Sequence, residues 1–321
     1  MAVSVIISNL NGANFLPKLL ETLKAQEEVQ LEIIVVDRES TDESQAILRL
    51  HPEVKVVSEP PLAGLVSGYA RGAREAVHEH LFFCNEDMWF DSRCLSLLEK
   101  RMDLSARIGV TDPWQWTYDG EVWIHGSTRF RKKTWAINSA YPFREFNVTV
   151  GGSDGDVIPF ACAGAMMIHR QVYDEIGGWD TSFFLDYEDV DFCIRTWQRG
   201  WKSVTVPSAK VFHAVGMSNV HNTGSKVKVS QRRYVSGLLS RGVIVWKYFS
   251  FSSLWMAFGI FSVVFANNLV KGRFKTVTWD LIALGSFIAR FGQTHGFRRS
   301  NKEYNRSKPG ERLFTSPEFQ I

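Results

Sequence analysis

The chain has 321 residues, 45% of them hydrophobic and 22% charged, with a formal net charge of +3. These proportions exclude a disordered or collagen-like chain and leave room for one large domain, or one domain with an appendage. The four cysteines, Cys84, Cys94, Cys162 and Cys193, are scattered without a CxxC pair, which speaks against a disulfide framework or zinc site and for a reduced, cytoplasmic setting.

Residues 3–8 form an apolar run that reads as a buried strand. No basic stretch with a cleavage site precedes it, so no secretory signal is expected. The turn-rich Asn9-Leu10-Asn11-Gly12-Ala13-Asn14 follows. A helix is predicted over 17–25, with Pro17 in its first turn and Leu16, Leu19, Leu20 and Leu23 at helical spacing. Residues 31–36 form a second apolar strand that ends in Asp37. A short helix begins at Asp42, and 54–57 is a third strand. Residues 64–77 read as a helix with small side chains at Gly68, Ala70, Gly72 and Ala73. The strand 81–84 then runs directly into Asn85-Glu86-Asp87. Alternation of this kind implies right-handed βαβ units and a mostly parallel sheet. Such sheets bind ligands at the carboxyl ends of their strands, where Asn9, Asp37 and Asp87 fall.

Residues 112–158 are rich in Trp, Tyr and Gly with weak periodicity, and read as irregular strands and loops over the site. The apolar pattern returns over 158–168. A short helix over 171–176 stops at Gly177-Gly178, a second helix covers 188–199, and short strands are predicted over 202–206 and 210–212.

Four places carry candidate chemistry. Asp37, at a strand end, has the geometry to accept hydrogen bonds from a base or ribose; the alternative is a plain turn with Ser40 or Asp42 capping the next helix. Asn85-Glu86-Asp87 offers oxygen ligands for Mg²⁺ or Mn²⁺, or else an acidic helix start. Asp186, Glu188, Asp189 and Asp191 crowd four carboxylates into six residues. Helical geometry sends them to different faces, so one is free to act as general base while Asp191 pairs with Arg195 four residues on. His213 follows an apolar pair, where a structural role is the commoner one unless the fold brings it to Asp87.

In this order the pieces resemble the family 2 glycosyltransferases of GT-A fold, in particular a bacterial rhamnosyltransferase-like branch. The resemblance runs over 3–218. Its specific part is Ala163-Gly164-Ala165-Met166-Met167-Ile168, Ile176-Gly177-Gly178-Trp179-Asp180, Tyr187-Glu188-Asp189-Val190-Asp191-Phe192-Cys193-Ile194-Arg195, Gly200-Trp201, and Pro207-Ser208-Ala209-Lys210-Val211 with His213 and Gly216. It implies a GT-A domain over 1–218, with a nucleotide-binding half (1–111) and an acceptor-binding half (112–218). Asp37 would contact the donor base, with Ser8 and Asn9 beside it. Gly64, Asn85, Glu86 and Asp87 would complete the donor side. Asp87 and His213 would hold a divalent metal, Mn²⁺ or Mg²⁺. Asp189 would be the base, with Trp179, Asp180 and Glu188 on the acceptor side. The implied donor is a dTDP- or UDP-sugar, and the implied reaction inverts the anomeric carbon in one displacement. The chain departs from the family pattern at Asp37-Arg38, Glu86, Leu62-Ala63-Gly64 and Ala70. The departures at Ala70 and Glu86 motivate the competing reading of an inactive, membrane-associated nucleotide-sugar-binding or scaffold protein. A dehydrogenase is disfavoured because no GxGxxG follows the first strand.

The end of the chain differs in charge. Of 37 Lys/Arg and 34 Asp/Glu, residues 214–321 hold 16 and 4, leaving 21 and 30 for the first 213 residues. Within it, 248–270 is an uncharged run of 23 residues between Lys247 and Lys271. As a helix it would reach ~35 Å, against an apolar bilayer core of about 30 Å. Its serines and asparagines shorten the purely apolar centre to about 20 Å. A second apolar stretch, 277–287, contains Asp280. The expectation for 219–295 is therefore an interfacial helical hairpin or amphipathic helices on an anionic membrane face, peripheral to the inner leaflet. The family resemblance implies a glycan or lipid-linked acceptor. A true span, and a helical subdomain packed on the catalytic domain or a second copy of the chain, are the alternatives. The long apolar runs argue for lipid over nucleic acid. Residues 296–321 read as a loose polar tail.

Overall fold

The computed structural model describes residues 2–60, 64–121, 123–125, 128–129, 147–148, 152–214, 231–248 and 253–290. In chain order the elements are β1 (Ala2–Asn9), α1 (Leu16–Lys24), β2 (Gln30–Asp37), α2 (Ser44–Arg49), β3 (Lys55–Ser58), α3 (Gly64–Glu75), β4 (His80–Asn85), β5 (Met88–Phe90), α4 (Cys94–Lys100), β6 (Ile108–Thr117), β7 (Trp123–His125), β8 (Thr128–Arg129), β9 (Asn147–Val148), β10 (Val157–Ile158), β11 (Ala165–His169), α5 (Arg170–Glu175), α6 (Glu188–Gln198), β12 (Lys202–His213), α7 (Gln231–Tyr248), α8 (Ser253–Val270) and α9 (Phe274–Ala289).

The main sheet runs β10-β12-β6-β11-β4-β1-β2-β3, with β5 paired to β12 and β7 to β6. The strands β3, β2, β1 and β4 are parallel neighbours, and β12 and β6 are parallel to each other. Strand β11 lies antiparallel between β4 and β6 and joins the two halves. The expected mostly parallel α/β sheet is thus present.

Strand β1 is buried on both faces, which is why its sequence is a continuous apolar run. Val3, Val5 and Ile7 pack with Leu16, Leu19, Leu20 and Leu23 of α1. Ile6 faces the other side, with Tyr69 of α3 and the aromatics of α5 and α6. Helix α3 lies close against β1 and β2 because it carries glycines there: a Cβ on Gly68 would run into Ser8 Oγ, and one on Gly72 into Ile6.

Two expectations change. Residues 108–117 form one ten-residue strand, β6, inside the sheet rather than an irregular cover. Its buried positions include Thr111, Asp112 and Gln115, all at most 2% exposed, so no apolar alternation marks it. The two short strands predicted after residue 201 are one strand, β12, with a register shift between Val206 and Lys210.

Helix α7 is part of the fold. Leu238, Leu239, Val243, Ile244, Val245 and Trp246 belong to the same core as Trp179 and Phe192. Tyr234 and Asn268 both bond Asp280, tying α7, α8 and α9 together through a buried polar contact. Among the described residues no helix is long and apolar enough to cross a membrane. Helices α8 and α9 do leave Val263, Leu269, Val270, Phe274, Leu281, Ile282 and Ile288 exposed. The predicted tail 296–321, Leu62-Ala63 and Gly216 lie outside the described residues.

Candidate active site

The carboxyl ends of β1 and β2 lie side by side, with Asn9 opposite Asp37. Asn9 Nδ2 donates to Asp37 Oδ1 at 2.9 Å and to Ser40 Oγ at 3.1 Å. Ser40 Oγ donates to Asp37 Oδ1 at 2.6 Å, and Gln45 Nε2 reaches Asp37 Oδ2 at 3.2 Å. The loop after β1 is stitched to the loop after β2 by Thr41 N–Asn11 Oδ1 and Ala13 N–Asp42 Oδ2. Asp37 is therefore both a strand-end carboxylate and the centre of a turn network, and only 4% exposed. Three buried polar atoms here, Ser8 Oγ, Asn9 Oδ1 and Arg38 Nε, have no hydrogen-bond partner among the described residues. Buried polar atoms are nearly always bonded, so three at one strand edge mark a place built for something polar.

The next strand end carries Asn85-Glu86-Asp87. Tyr69 OH donates to Asn85 Oδ1 at 2.8 Å and is also 3.0 Å from the Ala163 carbonyl, tying α3 to β4 and to the turn before β11. Burial and the neighbouring Asp87 push the Glu86 carboxyl up to about 7, with Arg38 pulling the other way. His213 arrives beside Asp87 because β5, which starts just after Asp87, pairs antiparallel with the end of β12. Ala214 N closes the pairing on the Asp87 carbonyl at 2.9 Å. His213 Nε2 is 3.1 Å from Asp87 Oδ1, and His213 Nδ1 is 3.2 Å from Gln115 Oε1.

This donor set fits a divalent metal. With Nδ1–H donating to Gln115, the lone pair of Nε2 faces the Asp87 carboxylate, and two acceptors so placed repel unless a cation, proton or metal, sits between them. One nitrogen and one carboxylate oxygen suit Mn²⁺ or Mg²⁺ when phosphate oxygens and water supply the rest. Among the described residues no cluster of three or more His, Cys, Asp or Glu suited to a metal occurs.

Asp189 lies in the first turn of α6. Its Oδ2 takes the Ala163 N–H at 3.4 Å and its Oδ1 the Val190 N–H at 2.8 Å. The 162–165 turn also meets β4, where Asn85 N donates to the Gly164 carbonyl at 2.9 Å. One turn thus touches both the Asn85-Glu86-Asp87 segment and Asp189.

Comparison with known proteins decides the family. Residues 4–177 match the sequence model of glycosyl transferase family 2, more than half of the chain. The chain belongs to glycosyl transferase family 2. It is 39% identical over 59 residues to the Mycobacterium tuberculosis N-acetylglucosaminyl-diphospho-decaprenol L-rhamnosyltransferase, an alignment spanning only 18% of either chain. It is 23% identical over 242 residues to the uncharacterized glycosyltransferase YwdF of Bacillus subtilis, covering 74% of this chain and 83% of that one. The mannosyltransferase PcManGT of Pyrobaculum calidifontis, solved with GDP-Man and Mn²⁺, has a TM-score of 0.55 at 16% identity, covering 98% of this chain and 83% of that one. At that identity the likeness is one of fold, and the fold is GT-A.

The matched family 2 segment ends before α6, and the remaining candidate residues, Gly64 apart, lie beyond it. Asp191 pairs with Arg195 as the spacing predicts, at 2.8 Å. Arg195 Nη1 also holds the carbonyls of Ile176 and Gly178, fixing the Gly177-Gly178 turn. Asp180 accepts from Ser182 N, and Lys247 of α7 lies 2.5 Å from its other oxygen, which together hold its carboxyl down at about 2 against the cost of burial. Trp179 is only 5% exposed, its ring among Tyr69, Phe83 and Phe192, so it forms the floor under the site. Glu188 is 6% exposed, and burial beside Asp189 pushes its carboxyl well above the usual range. Gly64 opens α3 against Phe184, whose carbonyl accepts from Leu65 N at 3.1 Å.

Sequence reasoning missed Asp112, Gln115 and Lys247. Asp112 is fully buried and accepts from Cys162 N at 2.9 Å, shaping the turn that meets Asp189. Nothing in the mixed polar and aromatic stretch around it marked it as buried. Lys247 is the last of four cations on α7, after Arg232, Arg233 and Arg241, and its signal was the imbalance of charge between the two parts of the chain.

Proposed function

We propose that this family 2 chain is an inverting glycosyltransferase that moves a sugar, rhamnose in our reading, from a dTDP- or UDP-linked donor to a hydroxyl of a glycan or lipid-linked glycan. The observation that carries the proposal is the 3.1 Å approach of His213 to Asp87, with the 162–165 turn bonded both to Asn85 and to Asp189. The unpartnered Ser8, Asn9 and Arg38 atoms support a nucleotide on the β1–β2 side. Rhamnose is supported by the name of the mycobacterial relative.

In this mechanism Asp189 removes the proton from the acceptor hydroxyl as it attacks the anomeric carbon. Ala163 N–H and Val190 N–H orient its carboxylate. Asp87 and His213 would hold a divalent metal, which supplies Lewis-acid charge to the departing diphosphate when bound. Gln115 fixes the His213 ring, and Trp179 with Tyr69 keeps the floor dry.

A cavity of ≈ 490 Å³ between α7, α9 and residues 182–184 supports an amphipathic acceptor, because Arg232 and Arg290 line it together with Phe184, Leu239 and Ile282. The exposed apolar side chains of α8 and α9, with exposed Lys271, Arg273 and Lys275, support peripheral binding to an anionic membrane face on the cytoplasmic side. Those same apolar side chains could instead meet a second copy of the chain.

Titrating a panel of nucleotide sugars with Mn²⁺ and following release of the nucleoside diphosphate tests the proposal. Asp87→Ala is expected to lose metal-dependent turnover. Asp189→Asn is expected to keep donor binding and lose about 10²–10⁴-fold in rate. Tight donor binding with no turnover against any acceptor would sink the enzyme reading.

A further inference from the structure

We propose that α7, which lies outside the family match, is a positioning element for Asp189, with Lys247 as its central positioning residue. The inference rests on the reading of Asp189 as the base. It starts from an unusual backbone: α6 is entered through two successive left-handed residues that are not glycine, Asp186 at φ 67° and Tyr187 at φ 69°. Side-chain-bearing residues adopt this conformation in succession only where the surroundings over-determine it. Tyr187 makes no side-chain cap bond to the helix it opens, so the hold comes from elsewhere.

The hold comes from α7, along one of its faces. Arg233 Nη2 is 3.9 Å from Asp186 Oδ1. Ser236 Oγ donates to the Leu185 carbonyl at 2.9 Å, and Arg241 Nε donates to Tyr187 Oη at 2.9 Å. Lys247 Nζ sits between Asp180 Oδ2 at 2.5 Å and Asp191 Oδ1 at 2.6 Å, and Tyr248 Oη donates to Asp191 Oδ1 at 2.7 Å. Positions 233, 236, 241, 247 and 248 fall on one side of a helix within the spread of such a contact face. They grip residues 180–191 before Asp189 and after it. The Lys247 side chain is 1% exposed and Asp191 0%, so removing this cation takes a buried partner from both Asp180 and Asp191 and leaves Asp191 with Arg195 as its one cation here. Gly237 lets the helix come this close: a Cβ there would lie 3.3 Å from Asp186 Oδ2. The base is therefore aimed by a helix that reaches it from the far end of the chain.

The test uses the full chain with Lys247→Met and, as a variant gentler on the fold, Arg241→Gln. Two readouts are taken. Hydrogen exchange of the amides of residues 184–191 needs no ligand, and both variants are expected to accelerate it while leaving the loops after β1 and β2 unchanged. Turnover of the donor selected by the panel above, with Mn²⁺, is expected to fall roughly 10–100-fold in kcat, the scale of a misplaced catalytic group, with KM for the donor little changed. Folded Arg241→Gln protein with wild-type exchange at 184–191 and wild-type kcat overturns the inference, whatever Lys247→Met does to folding. So does a loss that appears equally in donor affinity. Asp189→Asn separates the two proposals. If it keeps full turnover, the base assignment fails. If it is inactive while both α7 variants keep wild-type kcat, the positioning role alone fails.

Discussion

The two loop systems that border the site are held in opposite ways. On the donor side, Asn9 bonds Asp37 and Ser40 across 28 and 31 residues of chain, and Ser40 bonds Asp37 three residues away, all within a single βαβ unit. On the acceptor side, Asp180, Leu185, Tyr187 and Asp191 are held by side chains 51 to 67 residues further on, through a buried cation and hydrogen bonds from α7. The donor network is mostly uncharged around one carboxylate and forms as soon as β1 and β2 pair. The acceptor network contains two carboxylates, Arg195 and Lys247; its Asp191–Arg195 pair is local to α6, and the rest is made by α7. Local hydrogen bonds make a loop that folds with its strands. A distant ion cluster makes a segment whose geometry depends on another part of the molecule.

The widest separation between the two regions is expected on removing a charge. Asp191→Ala leaves Arg195 buried without its carboxylate and Lys247 with Asp180 alone, and the loss should be about 3–5 kcal/mol in urea unfolding. A loss within error of zero would mean that the cluster is not what fixes α7. Acid should expose the same asymmetry. Lys247 and Ser182 hold Asp180 down at about 2, and Lys247 with Arg195 lowers Asp191, each against burial. A carboxyl whose folded value lies below its unfolded value of about 3.9 contributes stability above that pH and loses it as pH falls through the folded value. The melting temperature should therefore drop between about pH 4 and pH 2. Lys247→Met, provided that it folds, should flatten that limb.

The comparison also explains what could be read in the sequence. Strands β1, β2 and β4 were legible because burial on both faces writes an unbroken apolar run, and the rule for parallel sheets then put Asn9, Asp37 and Asp87 at one edge. His213 was not legible by spacing, since its place depends on the antiparallel pairing of residues 88–90 with 211–213. Only the family resemblance paired it with Asp87. Strand β6 was missed because Thr111, Asp112 and Gln115 put polar groups where a pattern search expects apolar ones. Arg195 was found because its partner is four residues away. Lys247 was not, because an ion pair across 56 residues leaves no period in the chain.

A middle-sized effect is expected where backbone packing alone holds the donor side. Gly68→Ala pushes a methyl group into Ser8 Oγ and forces α3 off β1. The cost should be about 1–3 kcal/mol, as for other overpacked sites. Because α3 also carries Tyr69, which holds Asn85, metal affinity should fall with it. Calorimetric titration with Mn²⁺ and urea unfolding would show both. Unchanged stability would mean that the helix has room to move away from the strand.

The smallest effect tests the donor network itself. Ser40 Oγ accepts from Asn9 Nδ2 and from Asn11 N at 2.9 Å while donating to Asp37 Oδ1. Ser40→Ala removes all three contacts but leaves Gln45 and Asn9 on the Asp37 carboxylate. The net loss should be about 1–2 kcal/mol, since an uncharged hydrogen bond contributes little beyond what water would replace. Nucleotide affinity should weaken several-fold, because the two loops are no longer tied. The acid limb between pH 4 and 2 should stay as in the unsubstituted protein, since no charge of the α6–α7 cluster is touched. If Ser40→Ala instead removed that limb or slowed turnover without weakening nucleotide binding, the two regions would be coupled, and the division between a self-contained donor side and a tail-dependent acceptor side would be wrong.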